Sequence, residues 1–209
     1  MTALETARAT YAEASTAFLD LASEVPLDRY VGPGLGNWDL RALIGHTGRS
    51  LVTVAAYLST RAERIDAEDA ADYFVVVSRL AHGTTRDAIH RRGVEAGVLL
   101  GDDPMAALRA SRDEAELALD LLEGEDVVVE TAGGGMRVSD YLPTRTFELT
   151  VHCLDIARAT GLEFTPPTEA LADTLALASA SALRQGHGVD VILALTGRQP
   201  LPDGASVVP

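Results

Sequence analysis

The sequence predicts an all-α helical bundle with one small β-hairpin and an additional C-terminal helix. Apolar residues recur at three- and four-residue spacing along most of the chain, which is the period of a helix face. Strand-like composition is confined to one run of Val and Gly near residues 126–138. Strands alternating with helices, the pattern of an α/β fold, are absent.

The elements follow in order. Leu4, Ala7, Tyr11, Ala14, Phe18 and Leu21 form one face of a first helix from Thr2 to about Ser23. Pro26 and the run Gly32-Pro33-Gly34-Leu35-Gly36 then interrupt helical hydrogen bonding. Asn37 is placed to cap a second helix from Trp38 to about Arg61, with Leu40, Leu43, Ile44, Leu51, Val54, Ala55 and Leu58 as its apolar stripe. A third helical segment runs from Ala67 to Ile89, kinked or split where Tyr73 to Val77 brings β-branched and aromatic residues together. Pro104 suits a first helical turn, and Met105 to Leu122 reads as a long amphipathic helix stopped at Gly124. Asp126–Glu130 and Met136–Val138 flank a glycine-rich turn and predict the hairpin. Asp140 or Ser139 caps the next helix, with Pro143 in its first turn and Gly161 as its stop. Pro166 and Pro167 separate a last helix, Thr168 to about Arg184, from a tail with one more helical turn at Val191–Leu195.

Composition narrows the function. A chain of 209 residues supports one domain with a substantial core. We divide it into a helical bundle over 1–165 and a C-terminal helix and tail over 166–209 that packs on the bundle. The net charge of −14 repels phosphate backbones and anionic bilayers, so neither nucleic acid nor membrane is expected as a partner. The N-terminus has no basic flank and apolar run of a secretory signal, and a cytoplasmic location is expected. Cys153 is the single cysteine, so a metal site would be built from nitrogen and oxygen ligands. All 17 basic residues are Arg, a bias we read as that of a high-GC bacterial genome.

Three residues stand out as candidate metal ligands. Glu148 and His152 are four apart on a helix, so both side chains project from adjacent turns of one face. They adjoin Phe147, Val151 and Leu154, read as the apolar stripe of that helix. His46 sits similarly beside Leu43 and Ile44 on the second helix. A carboxylate and two imidazoles converging at the edge of a core call for a compensating cation. Spacing alone does not decide, since a Glu-x-x-x-His pair also serves as a solvated helix pair and a lone histidine as a hydrogen-bonded core residue.

The wording around these residues goes further. Asn37-Trp-Asp-Leu-Arg-Ala-Leu-Ile-Gly-His46 resembles the opening motif of the mycothiol-dependent maleylpyruvate isomerase family, within the DinB-like superfamily. Arg145-Thr-Phe-Glu-Leu-Thr-Val-His-Cys-Leu-Asp155, continuing to Gly161, resembles its second motif. The resemblance spans roughly residues 5–165. It implies a DinB-like four-helix bundle in which His46, Glu148 and His152 bind a divalent metal. Zn is the first expectation, with Ni, Mn or Fe able to use the same ligands. It also implies mycothiol as a thiol cosubstrate. Full-length isomerases of the family carry a further C-terminal domain, so the likeness is to a short form without it.

Two neutral imidazoles and one carboxylate leave a divalent site with net charge about +1 and one to three open positions. Such an ion lowers the pKa of a bound thiol. The expectation is therefore an enzyme that transfers a low-molecular-weight thiol to, or isomerises, a small electrophile. A metal-dependent hydrolase and a non-catalytic metal-binding module are the alternatives, and a homodimer is one oligomeric option. Asp155 is placed to accept the second imidazole N–H of His152 as a second-shell partner, or else to pair with Arg158. Arg49 and Arg145 each lie one turn from a ligand and are the candidate catalytic or anion-holding residues, although as surface arginines they need no function. Cys153 should face the core, and His82, His90 and His187 read as solvated. Trp38 reads as a packing residue two helical turns, roughly 12 Å of rise, from His46.

Overall fold

The computed structural model describes residues 1–81 and 86–208; His82 lies outside that range. The described residues form eight α-helices and one two-stranded antiparallel sheet, in the order α1 (Ala3–Glu24), α2 (Leu40–Leu58), α3 (Ala70–Ala81), α4 (Arg86–Leu99), α5 (Pro104–Asp120), β1 (Val128–Thr131), β2 (Gly134–Arg137), α6 (Val138–Thr160), α7 (Thr168–Arg184) and α8 (Gly188–Leu195). The fold is all-α with a small hairpin, in agreement with a DinB-like bundle.

Helices α1, α2, α5 and α6 pack on one another as the central bundle, with α1 and α2 both lying along α6. Their inward faces bury Tyr11, Phe18, Leu43, Ile44, Leu51, Leu108, Leu142 and Leu149 almost completely. Each such side chain contributes about 1.5–3 kcal/mol of apolar burial. Helix α7 packs on α6 and α3, and α8 packs on α7.

The helix ends explain how α2 and α6 are aimed. Thr2 and Glu5 form a reciprocal capping box at the start of α1. The cap of α2 is Asp39, whose carboxylate accepts from the Ala42 N–H at 2.7 Å, and not Asn37 as expected. The loop before it folds back through Leu40 N–H to Gly32 O and Arg41 N–H to Tyr30 O, so Trp38 stays outside the helix. Helix α6 starts at Val138, earlier than Ser139 or Asp140, and neither of these caps it from within. Asp126, from the segment before β1, instead accepts from both the Ser139 N–H at 2.9 Å and the Ser139 hydroxyl at 2.8 Å. This early start places Pro143 in the second turn. Gly161 closes α6 in a left-handed conformation, φ 76°.

The segment expected as one helix over Ala67–Ile89 ends at Ala81, and a separate helix, α4, extends to Leu99. Tyr73 and Phe74 are buried within α3, so packing overrides their strand preference. The turn expected at Val191–Leu195 is a full helix, α8.

Helix α4 packs against α2 at glycine contacts. A Cβ added to Gly45 would lie 2.4 Å from the Gly97 nitrogen, and one added to Gly93 would lie 2.3 Å from the Trp38 indole. Because backbone cannot yield as a flexible side chain does, Gly45→Ala is expected to separate α2 from α4 at a cost of about 1–3 kcal/mol. At roughly 2–4 °C per kcal/mol for a chain this size, the loss will show in a thermal melt. An unchanged midpoint would mean that the two helices do not meet at Gly45.

Candidate metal centre

Helix α2 carries His46 and helix α6 carries Glu148 and His152, and their packing brings the three together. One ligand atom from each side chain lies within 4.8 Å of the others, and all three residues are half-buried. His152 Nε2 stands 3.2 Å from the Glu148 carboxylate, and the His46 and His152 rings meet edge to face with centroids 5.1 Å apart. His152 Nδ1 lies 3.1 Å from the Asp155 carboxylate, so Asp155 is paired with the imidazole as the sequence anticipates. The buried stripe of α6 runs through Phe147, Leu149, Cys153 and Ile156. Leu154, expected on that stripe, is 38% exposed because the helix turns it outward.

The electrostatics of the trio are coupled. Burial alone would raise the Glu148 carboxyl, but the hydrogen bond from His152 and the Arg145 charge outweigh it and bring the pKa to about 2. Burial works against the His152 charge, yet hydrogen bonds to Asp155 and Glu148 raise its pKa to about 9. His46 goes the other way, to about 4, through burial and the neighbouring His152 charge. The metal-free chain thus holds one proton on His152 between two carboxylates, beside a neutral His46.

His46 Nδ1 is buried without a hydrogen-bond partner, a condition that costs about 1–3 kcal/mol. The surrounding protein therefore leaves a polar requirement of His46 unmet, as it would for a metal ligand. Two imidazoles and one carboxylate at this separation suit a single divalent ion.

The trio borders a cavity of about 680 Å³, also lined by Trp38, Arg49, Thr53, Tyr57, Tyr73, Phe74, His90 and Arg145. That volume is in the range of small-ligand sites. Several readings of the sequence change here. Trp38 is no distant packing residue: its ring lies 4.6 Å from that of His46, and its indole N–H donates to the His90 carbonyl at 3.0 Å. The helical rise does not apply, because Trp38 precedes the cap and folds back over the helix end. His90 is half-buried at the cavity, not solvated. Arg49 is exposed at the cavity, whereas Arg145, expected on the surface, is 9% exposed. Tyr73, Tyr141 and Thr53 complete a buried polar layer beneath it that the sequence did not reveal, because they come from three different helices. Cys153 faces the core, where burial raises its thiol pKa, and His187 is about half exposed at the start of α8.

A family model described as mycothiol maleylpyruvate isomerase N-terminal domain matches residues 8–157. The chain belongs to that family. No curated protein and no solved structure matches it. The matched span contains the entire trio, Asp155, Arg49 and Arg145. Among the described residues, no helix is long and apolar enough to cross a membrane.

These shifts fix how the metal-free domain responds to pH. His152 is raised from 6.5 to about 9, so its stabilisation is complete below about pH 6.5 and is lost as pH rises through 9. His46 is lowered from 6.5 to about 4, so its contribution is present above pH 6.5 and is lost as pH falls through 4. Glu148, lowered from 4.5 to about 2, adds a further loss on the acid side. The unfolding midpoint of chelator-treated protein is expected to peak near pH 6.5 and to fall on both sides. A midpoint climbing steadily from pH 7 to 9 would contradict the pairing of His152 with two carboxylates.

Proposed function

We propose that this chain is a divalent-metal-dependent enzyme that uses a low-molecular-weight thiol, mycothiol, for transfer to or isomerisation of a small electrophile. The observation that carries the reading is the convergence of His46, Glu148 and His152 at the wall of a cavity large enough for a substrate. Membership of a family described by mycothiol and maleylpyruvate isomerase supplies the thiol and the reaction class.

His46, Glu148 and His152 would hold the ion, with zinc the first expectation for this donor set. When bound, the ion supplies positive charge that favours the thiolate form of a thiol at neutral pH. The chain's own residues do the rest. Asp155, accepting from His152 Nδ1, fixes the ring so that Nε2 presents its lone pair towards Glu148. Trp38 covers the His46 ring and, through its bond to the His90 carbonyl, ties α4 over the site. Phe74 and Val77 give the cavity an apolar wall that limits water around a thiolate. The small electrophile and the thiol are thus the proposed partners, and the cytoplasm, where low-molecular-weight thiols are kept reduced, is the proposed location.

Freshly purified protein should contain close to one divalent ion per chain, and His46→Ala and Glu148→Ala should each lose it while retaining helical circular dichroism. Mycothiol added to the cobalt-substituted protein should change the visible spectrum. Metal binding without any response to the thiol would remove the transferase reading and leave a hydrolase or a non-catalytic module. Asp155→Asn should keep the fold but weaken metal affinity about 10- to 100-fold in a competition titration with a chromogenic chelator. Parent-like affinity in that variant would show that the carboxylate does not orient His152.

A further inference from the structure

The cavity inverts the charge of the chain. Acidic residues outnumber basic ones by 31 to 17 overall, yet the cavity is lined by Arg49, Arg92 and Arg145 against only Glu148 and Asp155. A positive cavity in an acidic protein concentrates anions where the global field would repel them.

Arg145 is the buried centre of this arrangement. Its Nε donates to the Thr144 hydroxyl at 3.0 Å and one Nη2 hydrogen to the Tyr73 hydroxyl at 3.4 Å. The other three guanidinium N–H groups meet no acceptor, and no carboxylate lies within 4.0 Å, among the described residues. Its Cζ sits 5.1 Å from the Tyr141 ring centroid and 5.5 Å from that of Tyr73, so the plane of the guanidinium is held by aromatic contacts. Tyr141 is itself fixed by a hydrogen bond from its hydroxyl to Thr53 at 2.8 Å. A buried arginine normally has an acid partner, because an uncompensated buried charge is costly. Here donors remain free, and the side chain borders the cavity one helical turn from the ligand Glu148.

We propose that Arg145, with Arg49 at the cavity rim, forms a subsite for a carboxylate group of the electrophilic substrate. This rests on reading the cavity as the substrate site, and it specifies the substrate class as a small organic acid with an apolar or aromatic body. The planar guanidinium matches a carboxylate in geometry and charge. Tyr57, Tyr73 and Phe74 line the space beside it and suit the apolar body. An acid held by Arg145 has its remaining atoms directed along the cavity wall that carries Glu148, His152 and His46.

The test uses benzoate and its uncharged analogue benzamide on the full chain stripped of metal, so that binding to the ion does not contribute. Titration calorimetry should detect benzoate, with benzamide at least tenfold weaker. Arg145→Gln should lose roughly 10- to 100-fold in benzoate affinity, the range for a hydrogen bond to a charged group. Arg145→Lys should recover part of the loss, and Arg49→Gln should weaken binding only a few-fold while its metal content stays that of the parent. Equal binding of benzoate and benzamide overturns the subsite. So does undiminished benzoate affinity in Arg145→Gln, or failure of both Arg145 variants to fold, which would make Arg145 a structural cation. Inorganic phosphate binding more tightly than benzoate would overturn the carboxylate assignment. A metal-free parent that shows Arg145-dependent benzoate binding but takes up no divalent ion would leave this subsite standing while removing the metal-dependent function.

Discussion

An ionised carboxylate inside a helical bundle must be compensated, and the arrangement around Glu148 follows from that requirement. Its lowered pKa reflects His152 bonded to it and Arg145 close by, both from its own helix, with His46 reaching in from α2. None of these groups is placed for packing alone. A neutral side chain of similar size at Glu148 would leave His152 and Arg145 as neighbouring buried cations with their principal counter-charge gone, so the polar cluster has to be treated as a unit.

That unit sets demands on the rest of the chain. Glu148 and His152 reach the same point as His46 only while α2 and α6 lie against each other, and this contact is maintained by apolar burial of Leu43, Ile44, Leu51 and Leu149 away from the polar end. Helix α4 must come close enough for its backbone carbonyl at His90 to receive the Trp38 indole. Gly45, Gly93 and Gly97 permit this, because any side chain there would occupy the space of backbone or indole. The polar site and the glycine contact are therefore parts of one construction: the first needs a roof over His46, and the second lets α4 provide it.

The sequence revealed the parts of this construction that are periodic or local. Helices α1, α2, α5, α6 and α7 follow from their apolar stripes, and the four-residue spacing of Glu148 and His152 survives unchanged as a shared helix face. The pairing of His152 with Asp155 was legible for the same reason. What escaped was set by contacts between distant segments. Asp126 caps α6 from across the hairpin, which no local capping pattern encodes. Arg145 looked like a surface residue because one turn of helix says nothing about Tyr73 on α3 closing over it. Helix α4 has weak amphipathicity, and the signal it does carry is Gly93 and Gly97 one turn apart, facing Trp38 and α2. Trp38 was misplaced because the helix was taken to start one cap too early; moving the start to Leu40 frees the indole to fold onto His46.

The proton on His152 explains how the site persists without an ion. Bound between Glu148 and Asp155, that proton supplies positive charge where a divalent cation would supply more, so the two carboxylates keep a partner in either state. Binding an ion then becomes an exchange in which His152 loses its proton and Nε2 turns from donor to ligand. The surrounding helices need not rearrange, because Glu148, His152 and Asp155 ride on one rigid element and His46 is already neutral. Such preorganisation fits an ion held for its chemistry: a bundle with this much aliphatic burial does not require metal to fold, in contrast to small domains whose structure depends on their zinc.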